Sequence, residues 1–165
     1  MTLYHVSTRL EPPMPKDFVP KVPESAMSIE DRTTPRICFA PTVKQCLEAI
    51  GLNTEEQEYI TVYQLDTGKV DPSHVLDPLQ VYEKHNVIDA LDTCEHWVTC
   101  PLRLFPMYAR INKAQWKDAD GYGMKKLTSL KLELTTWDEI QGKNLPKSFL
   151  EHFGLKEETC GKCPE

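Results

Sequence analysis

The stretch "LDTCEHWVTCPLRLF", residues 91–105, decides how the chain is read. Its β-branched and aromatic residues describe a strand running from about Glu95 to Phe105, but the strand opens on a carboxylate and an imidazole, Glu95 and His96, pressed against Trp97. Two readings compete. Glu95 is either a polar strand end at the surface or an active-site carboxylate presented on a rigid element. Trp97, two positions along, falls on the same face of the strand as Glu95 and reads as core.

Upstream, "LYHVS" at 3–7 is a short strand with Leu3 and Val6 around a polar His5. It leads into a segment through Arg36 that carries six of the chain's 13 prolines. Their fixed φ angles and missing N–H donors exclude helix or central strand there. A connection this long suits a loop lying over a site. "RICFA" at 36–40 is a second strand, and "TVKQCLEAIG" after it is the clearest helix, with Thr42 as cap, Gln45 completing a capping box, apolar residues at 43, 46, 47 and 50, and Gly51 as stop. "YITVYQLD" at 59–66 is a third strand. Residues 78–91 read as a broken helix. Beyond the opening stretch, "MYARI" at 107–111 is further strand. Leu130, Leu132 and Leu134 alternate along another strand, which runs into a helix capped by Thr136 with Glu139 three residues on. A last helix is expected over 146–154.

At 165 residues the chain is long enough for one domain with its own core, expected over 1–154, with 155–165 a flexible polar tail. The balance of 19 Lys and Arg against 25 Asp and Glu, a net charge of −6, argues against nucleic acid as a partner. No window approaches the roughly 20 apolar residues of a membrane span, and no secretory signal is evident, so a cytoplasmic protein is expected. The six cysteines therefore read as thiols. Only Cys160 and Cys163 have metal-ligand spacing, and they lack a second pair, so no metal site is expected. Cys94 with His96 lacks any recognisable nucleophile signature.

The pieces "LYHVS", "RICFAPTVKQCLEAI", "YITVYQLD" and "CEHWVTCPLRL", in that order, resemble the ADP-ribosyltransferase superfamily, most of all its short phage and bacterial members. The resemblance covers roughly residues 3–111. It implies an α+β fold with a split antiparallel or mixed sheet and a few flanking helices, and NAD as substrate. It also implies a protein or small-molecule acceptor, in the manner of an effector or anti-defence protein. His5 is then the ligand of the adenosine ribose, Phe39 the aromatic that stacks on nicotinamide, and Glu95 the catalytic carboxylate. At the second position the family often has Tyr, and this chain has Phe39, which keeps stacking and loses a hydroxyl. Ser7 adds a polar group beside His5, while Arg9 and Arg36 flank the same region as candidate partners of the pyrophosphate. The rival readings are a non-catalytic nucleotide- or protein-binding inhibitor on the same fold, and an NAD glycohydrolase using water as acceptor.

Overall fold

In the computed structural model the described residues are 1–23, 31–51, 58–118 and 125–141. Strand β1 (Thr2–Ser7) runs antiparallel to the strand Tyr59–Asp66, with Leu3 opposite Leu65 and His5 opposite Tyr63. Two short strands lie between them in the chain, β2 (Lys16–Phe18) and β3 (Ile37–Phe39), so Tyr59–Asp66 is β4. After β4 come β5 (Val75–Leu76), β6 (His96–Val98), β7 (Leu102–Leu104), β8 (Pro106–Asp118) and β9 (Lys125–Thr135). The strands form a four-stranded sheet β1-β4-β8-β9, a three-stranded sheet β3-β6-β5 and a small ladder β2-β7, all antiparallel. The chain is thus α+β.

Among the described residues one backbone bridge joins the two larger sheets. Tyr4 N–H donates to Ala40 C=O (2.7 Å) and Ala40 N–H to Tyr4 C=O (2.9 Å). The ladder does not run on past Ala40, because the chain bends at Pro41 and Thr42 into the helix that starts at Val43. On its other side the His5 imidazole takes the carbonyl of Cys38. The strands part there, leaving a seam.

Helix α1 (Val43–Ile50) lies across the four-stranded sheet beside that seam, burying Cys46 and Leu47 with Val6, Ile60, Val62 and Leu127. Its ends fall where the sequence puts them, but the expected capping box is not completed, because the Gln45 side chain bonds the Thr42 hydroxyl rather than its backbone N–H. Thr42 Oγ1 accepts from Gln45 N–H (3.2 Å) and donates to Gln45 Oε1 (2.8 Å), and Gly51 closes the helix at φ 65°, where a side chain would be strained. The opposite face of the sheet packs Leu3, Tyr63 and Leu65 against Ile37, Phe39 and Val98, with Phe18 from the Pro-rich segment among them. Helix α2 (Pro78–His85) stops at left-handed Asn86, and the single turn α3 (Ala90–Thr93) follows, so the segment is the broken helix its irregular spacing describes. Both cover Trp97. Helix α4 (Trp137–Gln141) carries a full capping box between Thr136 and Glu139 and packs Trp137 and Ile140 on Tyr108.

Two further expectations change. The strand expected over 95–105 is two strands in different sheets, β6 and β7. Thr99 N–H still bonds His74 C=O (3.0 Å), in register with the β5–β6 pairing, and Pro101 has no N–H with which to continue a ladder, so Leu102 begins a new one with Phe18. The strand at 107–111 extends to Asp118. Register shifts at Ile111/Lys113 and Gln115/Trp116 break the two-residue period by which a strand is recognised, so its second half does not read as one. The helix expected over 146–154, the tail 155–165 and Cys160 and Cys163 lie outside the described residues. Among the described residues no helix is long and apolar enough to cross a membrane, and no three His, Cys, Asp or Glu side chains group as metal ligands.

Candidate active site at the seam between the sheets

A cavity of about 120 Å³ opens where β1 and β3 part. His5 and Val6 of β1, Cys38, Phe39 and Ala40 around β3, and Cys46, Ala49 and Ile50 of α1 line it, with Thr93 and Glu95 closing the far side. His5, Phe39 and Glu95, far apart in sequence, thus border one space. By strand alternation Glu95 shares a face with Cys38 and Trp97, whereas Phe39 shares the other with His96. Both faces reach the cavity because it lies at a seam.

His5 holds the seam open. Its Nδ1–H donates to Cys38 C=O (2.8 Å), which fixes the tautomer and leaves Nε2 as the acceptor. Burial lowers the His5 pKa below its usual value; the Cys38 carbonyl opposes the shift and the Lys16 charge adds to it. The ring is therefore neutral at pH 7. Rings of Phe18, Phe39 and Tyr63 surround it at centroid distances of 5.2, 5.7 and 6.2 Å. The Pro-rich segment thus reaches His5 through Phe18, although none of its described residues lines the cavity.

The direction of this shift makes stability depend on pH. An unfolded His5 takes up a proton below about pH 6.5, whereas the folded one resists until lower pH, so stability falls as pH drops through that interval and is flat above it. The melting temperature should be lower at pH 5.5 than at 7.5, and His5→Gln should remove part of that difference. An unchanged pH dependence in the variant would count against the buried neutral ring.

Glu95 is launched by a backbone turn. Cys94 closes α3 at φ 52°, a left-handed conformation that costs a non-glycine residue roughly 1 kcal/mol, and Glu95 N–H donates to Ala90 C=O (2.9 Å). Glu95 therefore sits one residue ahead of β6 rather than in it. Its Oε1 accepts from Trp97 Nε1–H at 2.6 Å. Burial, then the neighbouring Glu95 charge, push the Cys38 thiol well above its ordinary pKa, and burial takes Cys46 up to about 12. Both line the cavity as neutral thiols. Cys94 and His96 form no nucleophile pair either: the His96 Nδ1–H donates to the Cys94 carbonyl (2.9 Å), and the thiol turns to Leu91 C=O.

The remaining candidates lie outside the lining. Ser7 shares the His5 face of β1, where its hydroxyl meets Glu11 Oε1 (3.4 Å) and Arg9 N–H (3.3 Å). Arg9 is exposed just beyond the strand. Arg36 is only 5 % exposed; its guanidinium lies 3.9 Å from the centre of the Trp97 ring and donates to the carbonyls of Asp31 and Thr34. Strand alternation puts Trp97 on the Glu95 face but says no more than core packing. The two-residue spacing of an indole and a carboxylate is the signal in the sequence for their hydrogen bond. No family model, no characterised protein and no solved structure matches the chain significantly.

Proposed function

We propose that the chain is an NAD-dependent ADP-ribosyltransferase, cleaving the nicotinamide–ribose bond and passing ADP-ribose to a protein or small acceptor. One observation carries the reading: His5, Phe39 and Glu95 line a single cavity at the junction of two antiparallel sheets. The split arrangement supports reading the fold as ADP-ribosyltransferase-like. A narrow cavity walled by Val6, Phe39, Ala40 and Ile50 suits a flat neutral ring such as nicotinamide.

Positive charge develops on the ribose as that bond breaks, as it does in glycoside hydrolysis. Glu95 supplies the opposing charge at the edge of a largely apolar cavity, and electrostatic stabilisation of this kind usually contributes most to the rate. Nicotinamide leaves as a neutral molecule, so no acid is required. His5, proton on Nδ1, offers Nε2 to a ribose hydroxyl, and Phe39 offers an apolar wall to the departing ring. Arg9, exposed beside Ser7, is the cation we assign to the pyrophosphate. Arg36 bears on the site through Trp97.

The test is NAD labelled in its adenylate half, incubated with the purified chain and a bacterial lysate. Release of nicotinamide with label on protein is the expected result. Release with free ADP-ribose alone assigns a glycohydrolase, and the absence of both overturns the reading in favour of a binder.

A further inference from the structure

Glu95 is tied to a polar framework that a packing tryptophan does not need. Trp97 is fully buried, donates its Nε1–H to Glu95 Oε1 at 2.6 Å and has the Arg36 guanidinium 3.9 Å from its ring centre. The His85 ring approaches the same indole at 4.6 Å. Asp31 joins the two: its carboxylate meets His85 Nδ1 at 2.6 Å, its carbonyl accepts from Arg36 Nη1 at 2.9 Å, and its N–H donates to His85 C=O at 2.9 Å. The hydroxyls of Thr34 and Thr33 hold that carboxylate and keep its pKa below the usual range. Burying a guanidinium is costly unless its geometry is well satisfied, so this arrangement is expensive as mere packing.

We infer that Trp97 is the positioning residue for Glu95, holding Oε1 so that Oε2 is the oxygen presented to substrate. The role rests on the reading of Glu95 as the catalytic carboxylate. Arg36 over the indole face draws on its π density and strengthens the N–H as a donor to a carboxylate. A glutamate side chain otherwise samples several rotamers, and one fixed hydrogen bond removes that freedom before substrate arrives.

Trp97→Phe tests it, because phenylalanine keeps an aromatic face for Arg36 and His85 and lacks the donor together with the volume of the second ring, a packing loss that should fall equally on the wild-type and Glu95→Gln backgrounds. Loss of a hydrogen bond to a charged group predicts a fall of roughly ten- to a hundredfold in kcat for nicotinamide release, with KM within about twofold. In a Glu95→Gln background the same substitution should change the residual rate little, since Trp97 acts only through the carboxylate. Equal losses in both backgrounds would mark a merely structural residue and overturn the role.

A second measurement does not depend on activity. The Trp97 indole N–H resonance should move upfield in Glu95→Ala. No movement while the wild type still releases nicotinamide overturns the positioning role alone. Movement in a protein that releases none overturns the transferase reading and the role with it, leaving only the contact.

Discussion

Glu95→Gln should slow nicotinamide release by on the order of 10² or more while leaving NAD affinity and the melting temperature unchanged. Glutamine keeps the length of the side chain and an oxygen for Trp97 Nε1–H, so the local structure has no reason to move. It lacks the negative charge. If that charge acts on the ribose only as the bond breaks, the loss falls on kcat and spares ground-state binding. The three readouts separate the alternatives. A drop in melting temperature indicates a structural carboxylate, a weakened isotherm indicates a ligand contact, and unchanged release removes Glu95 from the mechanism.

Leu47→Ala should be the most damaging core change beside the site. Leu47 is fully buried between α1 and the four-stranded sheet, and removing such a leucine costs about 2–5 kcal/mol. For a chain of this length each kcal/mol lowers the melting temperature by roughly 2–4 °C, giving a fall of about 4–20 °C. Ile50, three residues on, is 46 % exposed and borders the cavity. Ile50→Ala should therefore shift the melting temperature by only about 1–2 °C and act on binding instead. A reversal of the two effects would mean that α1 sits on the sheet by a different face.

The contrast between Leu47 and Ile50 shows where a sequence pattern stops being informative. Both belong to one apolar stripe at helical spacing, and periodicity cannot say that one meets a sheet and the other a cavity. The cap at Thr42, the stop at Gly51 and the limits of β4 are legible because each depends on a few adjacent residues. The division of residues 95–105 between two sheets is not, since it depends on which strands β6 and β7 find as partners. Nor does the two-residue period survive the bulges of β8.

The site divides in the same way. His5, Phe39 and Glu95 stand out in the sequence, and each lines the cavity. Arg36 reads from the sequence as a cation for a pyrophosphate, and it is instead buried against Trp97 by a turn at Asp31 that hydrophobic periodicity does not encode. The seam itself comes from a chain that bends at Pro41 into α1 and an imidazole that takes the Cys38 carbonyl in place of a backbone donor. Neither effect is visible until β1 and β3 are side by side.

The most direct test of the central claim is the initial rate of nicotinamide release by the purified chain across a range of NAD concentrations, beside Glu95→Gln at equal protein. A saturable rate is expected for the wild type, with a loss on the order of 10² for the variant at saturation. A wild-type rate no greater than that of NAD in buffer, or equal rates for the two proteins, would contradict it.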